Sequence, residues 1–198
     1  LPNGSLAVLL GDVAGKGVPA ALMMAKASTV CQVALLNHPD RLADALGMIN
    51  DEICDVSVRS SFITLVLCLI DPQTHEITMG NAGHMSPVFR RRDGTIEEPA
   101  DDNVRGYPLG IERGYRYRTD HTVLGPGESV VLYSDGISEA MDSRGELYSA
   151  ERIHAQVAGM AHADPASLGE ALIEDVRRHL GDCDQNDDIT LVVFGRGE

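Results

Sequence analysis

The sequence predicts an α+β fold, a largely antiparallel sheet or sheets with helices packed outside. Three observations predict it. The elements run in the order strand, two helices, several strands in hairpins, two helices, strand. Hairpin-linked strands pair antiparallel, and helices then collect in layers on the outside. The spacing of apolar residues also changes along the chain, from three and four in the helical stretches to continuous β-rich runs between turns.

The elements follow in order. Leu6 to Leu10 (LAVLL) reads as a strand behind a Pro2-Asn3-Gly4 turn. A turn joins two segments, so a strand ahead of the first residue is expected. A helix is predicted over 19–36, with Pro19 suited to its first position. A second is predicted over 39–56, where Leu42, Ala45, Leu46, Ile49 and Ile53 make one apolar face. Phe62 to Ile70 is a buried strand by its β-branched and aliphatic content, and Asp71-Pro72-Gln73-Thr74 turns the chain into a strand over 75–79. Strands over 87–91 and 95–98 flank Asp93-Gly94, a hairpin signal. Further strands are predicted over 115–123 and 129–133. Helices follow over 150–160 and 165–180, the second capped by Asp164 and carrying Leu168, Leu172, Val176 and Leu180 at every fourth residue, and the last strand covers 189–194.

The 198 residues suit one domain, and 43% hydrophobic with 23% charged residues is the balance of a globular chain. A formal net charge of -14 repels nucleic-acid phosphates and anionic membranes, so neither nucleic acid binding nor membrane insertion is expected. The carboxylates behind that charge can instead hold cations. The four cysteines form no C-x-x-C pair, which argues against a zinc site and a disulfide framework. Cys31, Cys54 and Cys68 lie in apolar surroundings and read as small core residues. A reducing, cytoplasmic location is therefore expected. Phe62 to Ile70 is too short an apolar run to span a bilayer, and no signal peptide opens the chain.

Three acidic points stand at strand ends. Asp12 ends LAVLLG, Asp135 ends SVVLYS, and Asp187 and Asp188 open ITLVVF. If the last strand runs antiparallel to the other two, all three meet at one end of the sheet. Crowded carboxylates repel one another unless cations neutralise them. Oxygen ligands without Cys or His select hard ions such as Mg²⁺ or Mn²⁺. Aspartates are also common turn residues, and each taken alone reads that way. The segment GDVAGKG is not a phosphate-binding P-loop, which needs four residues between its glycines and Ser or Thr after the lysine. Its glycines let the backbone turn so that a carbonyl beside Asp12 can face a metal. Lys16 reads either as a solvated loop lysine or as a phosphate contact.

GDVAGKGVPAALMMA, NAGH at 81–84, YPLGI at 107–111, LYSDGISEA at 132–140 and DDITLVV at 187–193 occur in that order. Together they resemble the SpoIIE/RsbU-type serine phosphatases, the bacterial branch of the type 2C (PPM) phosphatases, over nearly the whole chain. The resemblance implies an α-β-β-α sandwich of two mainly antiparallel sheets flanked by helices. It implies a single phosphatase domain over 1–198, with an upstream sensor or receiver domain outside it. It also implies two Mg²⁺ or Mn²⁺ ions that activate a water to attack phosphoserine or phosphothreonine.

By motif, Asp12 is expected to bridge both ions and the Val13 backbone carbonyl to bind one of them. Asp135 and Asp187 are expected to bind a metal, with Asp188 and Gly136 in supporting places. No covalent enzyme intermediate is needed, so Ser134 and Ser138 need not be nucleophiles. Asn81 and His84 keep two readings, a turn at a strand end or a role near the site. The family's acidic G-G-D-x-x-D strand is absent from these residues, so one of the two ions is expected to be weak or absent. The expected substrate is a phosphorylated regulatory protein, an anti-sigma-factor antagonist, in bacterial signal transduction and stress response. The helices over 19–36 and 39–56 resemble the family's switch elements, and homodimers are common among relatives. Two other readings stand beside this one, a pseudophosphatase that acts as a protein-binding regulatory module and a hydrolase of small phosphate esters.

Overall fold

The computed structural model describes residues 1–55, 61–99 and 104–198. In chain order its elements are β1 (Leu6–Val13), α1 (Val18–Asn37), α2 (Leu42–Cys54), β2 (Ile63–Ile70), β3 (Glu76–Ala82), β4 (Val88–Arg90) and β5 (Ile96–Glu97). They continue with β6 (Arg105–Gly106), β7 (Thr119–Val123), β8 (Ser129–Tyr133), α3 (Asp135–Ser138), α4 (Ala150–Gly159), α5 (Pro165–Leu180) and β9 (Leu191–Gly195). The fold is α+β, with two mainly antiparallel sheets and their helices, as the sequence predicts. The residues divide into two compact units with one sheet each.

The first unit comprises Leu1–His84 and the segment that ends at Val123. Its sheet has the order β1-β2-β3-β6, with β7 also paired to β3. All pairings are antiparallel except the two-residue contact of β3 with β6. The predicted face of α2 is the buried one: Leu42, Ala45, Leu46, Ile49 and Ile53 are all at most 2% exposed. They pack with Ala27, Cys31, Ala34 and Leu35 of α1 against Leu65, Leu67 and Leu69 of β2. Gly80 permits this fit, because a Cβ there would lie 2.4 Å from the Leu46 side chain. Ahead of β1 the Pro2-Asn3-Gly4 turn is closed by a hydrogen bond from the Gly4 N–H to the Leu1 carbonyl.

The second unit comprises Met85–Ala100 and Leu124–Glu198, with its sheet in the order β5-β4-β8-β9. The four residues predicted as the face of α5, Leu168, Leu172, Val176 and Leu180, are buried together with Ile153 and Val157 of α4 against Val88, Val131 and Tyr133. Asp164 is the predicted cap and accepts from the Ala166 and Ser167 N–H groups. Arg90 is 1% exposed and donates to the carbonyls of Gly127, Met160 and Ala163 and to the Ser129 hydroxyl. It ties β4 to the connection between α4 and α5.

Three expectations change. The second helix begins at Leu42 and not at Pro39, because Pro39 and Asp40 are held by the Asn3 side chain in a turn. Val56, its predicted end, lies outside the described residues. The two-residue β6 and four-residue α3 carry too few positions to show a period and were not predicted. The strand predicted over 115–123 begins only at Thr119, where its pairing with β3 starts. α1 is the one helix among the described residues long and apolar enough to cross a bilayer. Here Met23, Ala27, Cys31, Ala34 and Leu35 pack it into the first unit's core.

Candidate active site

The predicted site residues fall in both units. In the first, Asp12 and Val13 are the last two residues of β1, opposite Thr64 and Ile63 of β2. Directly opposed residues of an antiparallel pair point to the same face. Val13, opposite Ile63, is buried in the core against the helices. Asp12 and Thr64 therefore share the other face, away from α1 and α2, and Asp12 is half-buried. Gly11 makes this strand end possible, since a Cβ there would lie 2.8 Å from the Thr64 carbonyl oxygen. Lys16 is exposed in the loop that leads to α1.

Asn81 and His84 stand behind this strand end. Both are buried, at 4% and 3% exposure. The Asn81 side chain accepts from the His84 N–H at 2.8 Å and donates to the His84 carbonyl at 3.1 Å, which closes the NAGH turn. The His84 Nδ1 lies 2.8 Å from the Thr64 hydroxyl. Gly83 has φ 73°, and a Cβ there would meet Pro108 at 2.6 Å. The NAGH and YPLGI motifs thus pack on each other. Leu109 pairs with Ile63 through two backbone hydrogen bonds, and the buried Asn50 holds Gly110 and the Glu112 carbonyl.

In the second unit β8 and β9 run antiparallel, with Tyr133 opposite Leu191. Asp135 follows the end of β8, and Asp187 and Asp188 precede the start of β9, so these acids lie at one end of their sheet. The Ser134 hydroxyl donates to the Asp188 carbonyl at 2.9 Å and accepts from the Thr190 N–H at 3.0 Å. The Ser134 N–H donates to the Thr190 carbonyl at 3.0 Å. A Cβ on Gly136 would lie 2.3 Å from the Asp188 carbonyl oxygen, so only glycine lets the chains approach this closely. Asp135 is half-buried as the first residue of α3, while Asp187 and Asp188 are exposed. The Asp187 carboxylate accepts from the Asp188 N–H at 2.8 Å.

One expectation is corrected: the three acidic points do not end a single sheet. Asp12 ends β1, which pairs with β2, whereas Asp135 and Asp187 flank β8 and β9 of the other sheet. Nothing in the apolar run LAVLL says which sheet it joins, because partner choice depends on residues far along the chain. Among the described residues no three His, Cys, Asp or Glu side chains are gathered into a ready metal cage. The donors are carboxylate and carbonyl oxygens, which fit a hard divalent cation in kind. Of the cysteines, Cys31 and Cys68 are buried, and burial pushes their thiols up to about 11 and about 12.

The sequence reading missed Ser134, which fastens the two acidic segments together. No local signal marked it, because its partners, the Asp188 carbonyl and the Thr190 N–H, lie far along the chain.

The chain is similar to known proteins over nearly its whole length. The family model of stage II sporulation protein E (SpoIIE) matches residues 2–197. The phosphoserine phosphatase RsbU of Bacillus subtilis is 27% identical over 97% of the chain. The chain spans 56% of RsbU and 34% of a second relative, protein IcfG of Synechocystis. Among solved structures, the SiaA-PP2C domain of Pseudomonas aeruginosa superposes with a TM-score of 0.81 at 21% identity, covering 97% of this chain and 80% of that one. The RsbU and RsbW domains of Rv1364c from Mycobacterium tuberculosis give 0.80 at 24% identity, covering 98% and 52%. By the match of its sequence to the family model from the second residue to the second-last, the chain belongs to the SpoIIE family.

Proposed function

We propose that these residues form the catalytic domain of a metal-dependent protein serine/threonine phosphatase, acting in bacterial signal transduction on a phosphorylated regulatory protein such as an anti-sigma-factor antagonist. The observation that carries the reading is the junction of β8 and β9, where Ser134 and Gly136 bring the segment of Asp135 against that of Asp187 and Asp188. Acids gathered at one end of a sheet repel one another, and a divalent cation offsets that repulsion. Family membership supports the reading. So does the catalytic domain of the phosphatase PstP, solved in complex with two manganese ions, which superposes with a TM-score of 0.66 at 19% identity.

In this reading Asp135 and Asp187 are ligands of Mn²⁺ or Mg²⁺ in the second unit, with Asp188 supporting Asp187, and Asp12 and the Val13 carbonyl are metal ligands of the first. When bound, such ions lower the pKa of a coordinated water and offset the charge of a phosphoryl group. The chain's own contribution is orientation. The β1–β2 register holds Asp12, and Ser134 holds the two acidic segments of the second unit together. No side chain of the chain is called on as a nucleophile. The Ser134 hydroxyl is engaged on both sides by backbone groups, and Ser138 donates to the Asp135 carbonyl. Regulation by a sensor domain acting through α1 and α2, self-association and a cytoplasmic location belong to the same proposal.

The test is Mn²⁺-dependent phosphate release from a phosphoserine protein by the full-length protein, with and without Asp135→Asn. We expect the variant to lose at least 100-fold in kcat and to resemble the wild type in chelator. Turnover of the wild type that Asp135→Asn leaves unchanged would sink the assignment. No turnover under any condition would favour a protein-binding module over an enzyme.

A further inference from the structure

Next to the Asp135 turn the second unit holds a cleft of about 250 Å³. Its lining is mixed: Ala140, Met141, Leu147, Leu180 and Ile189 supply an apolar side, and Gly136 and Asp187 of the candidate metal-binding segments line it as well. The cleft is thus continuous with the proposed site. Met141 and Leu147 remain 37% and 50% exposed. They oppose each other across an antiparallel bridge, so their side chains stand together on one face.

The hairpin that carries them is locked. The Asp142 N–H donates to the Glu146 carbonyl and the Gly145 N–H to the Asp142 carbonyl, both at 3.0 Å. The Asp142 carboxylate accepts from the N–H groups of Arg144 and Glu146, and the Arg144 guanidinium bridges Asp142 and Glu146. At its base the Tyr148 N–H donates to the Ala140 carbonyl and the Ser149 N–H to the Ser138 carbonyl, both at 2.8 Å. Two large apolar side chains are therefore held in water by a rigid frame. Presentation of this kind lowers the ordering cost of binding.

The size of the cleft selects its occupant. Pockets for complete small ligands measure roughly 300–1,000 Å³. A smaller cleft with an apolar side that adjoins a phosphate-handling site suits one side chain of a longer substrate. Glu139 on its rim disfavours an acidic neighbour.

We propose that this cleft is a substrate-docking subsite that takes an apolar side chain lying close along the chain from the phosphorylated serine or threonine, and that Met141 and Leu147 determine this specificity. The proposal rests on the phosphatase reading above and assigns that enzyme a protein substrate with an apolar residue near its phosphate.

The experiment uses the full-length protein with Mn²⁺ and two probes. One is a set of phosphoserine peptides in which a single leucine is moved through the three positions on either side of the phosphoserine. The other is p-nitrophenyl phosphate, which has no flanking residue. We expect the wild type to prefer one leucine position by about tenfold in kcat/KM. Met141→Ala/Leu147→Ala should abolish that preference through KM and leave p-nitrophenyl phosphate turnover unchanged. Leu147→Gln, a single change at a half-exposed position, gives the same reading should the double variant fail to fold. Hydrolysis of p-nitrophenyl phosphate without any leucine preference overturns the subsite alone. A preference that survives the variants overturns it too, and so does an equal loss on both probes. Variants that convert a dimer to a monomer without altering peptide KM would assign the cleft to self-association instead. Absence of turnover on both probes by the wild type removes the phosphatase reading, and the subsite falls with it.

Discussion

The two units hold their acidic residues by different means. Asp12 sits inside a regular ladder, where eight consecutive residue pairs between β1 and β2 fix its position. Asp135 and Asp187 lie outside regular strands, on a four-residue helix and in an irregular segment. Beyond the end of the β8–β9 ladder and one backbone bond, their proximity depends on one hydroxyl and one missing side chain, Ser134 and Gly136. A ladder spreads its positioning over many backbone hydrogen bonds, so no single side chain decides it. A junction of two loops concentrates the same task in a few atoms. The second unit should therefore be the more sensitive to single substitutions near its acids.

The largest effect is expected at Gly136. A Cβ 2.3 Å from the Asp188 carbonyl oxygen cannot be accommodated without moving the Asp187–Asp188 segment. Gly136→Ala should lower phosphate release at least 100-fold and weaken Mn²⁺ binding by calorimetry, at a stability cost of about 1–3 kcal/mol. Gly11→Ala faces a backbone oxygen at the longer distance of 2.8 Å in the first unit, and its loss should be smaller. Equal losses would break the comparison.

A second test concerns acid. Asp175 is 4% exposed and accepts from Arg152, the Tyr148 hydroxyl and Arg178. The Arg152 guanidinium beside it, joined by the Tyr148 hydroxyl, holds its carboxyl below the usual carboxylate range, against the opposite push of burial. A carboxyl lowered in the folded state adds stability that is complete above its unfolded value and is lost as pH falls through its folded one. Asp175→Asn should cost about 1.5–3 kcal/mol at neutral pH, and the difference should vanish on acidification below the carboxylate range. Hydrogen exchange resolved over α4 and α5, with α2 as reference, measures this.

The smallest effect separates the hydroxyls behind the acids. Ser134→Ala removes the clasp beside Asp135 and should weaken Mn²⁺ affinity about tenfold, the scale of losses when a metal ligand's support is removed. Thr64→Val removes the contact with His84 behind Asp12 while the ladder keeps its register. Its effect on Mn²⁺ affinity should stay below about threefold, again well under the full loss of ligand support. Similar losses in the two variants would mean that Asp12 also hangs on a single side chain.

Much of this was legible in the residues. Periodicity gave the buried faces of α2 and α5, because a helix must put residues three and four apart on one side. Asp164 declared itself as a cap, and Asp93-Gly94 as a hairpin. The junction of Asp135 with Asp187 and Asp188 followed from acids at opposite ends of two apolar runs once those runs were taken as antiparallel. The clasp by Ser134 was not legible, because a serine between Tyr133 and Asp135 looks the same whether its hydroxyl meets water or a carbonyl 54 residues away. Nor was the cleft, since Met141 and Leu147 become neighbours only through a hairpin locked by Asp142.

The sequence by itself determined the fold class, the helical faces, the family and the residue types able to hold a hard cation. These depend on local spacing and on chemistry carried by single residues. Only the tertiary structure decided that β1 joins β2, while β8 joins β9 in another sheet. It alone decided that Gly136 must lack a side chain and that Ser134 joins two distant segments. Strand pairing and close approach are set by contacts between residues far apart in the chain, and no local pattern encodes which distant partner a backbone group will meet.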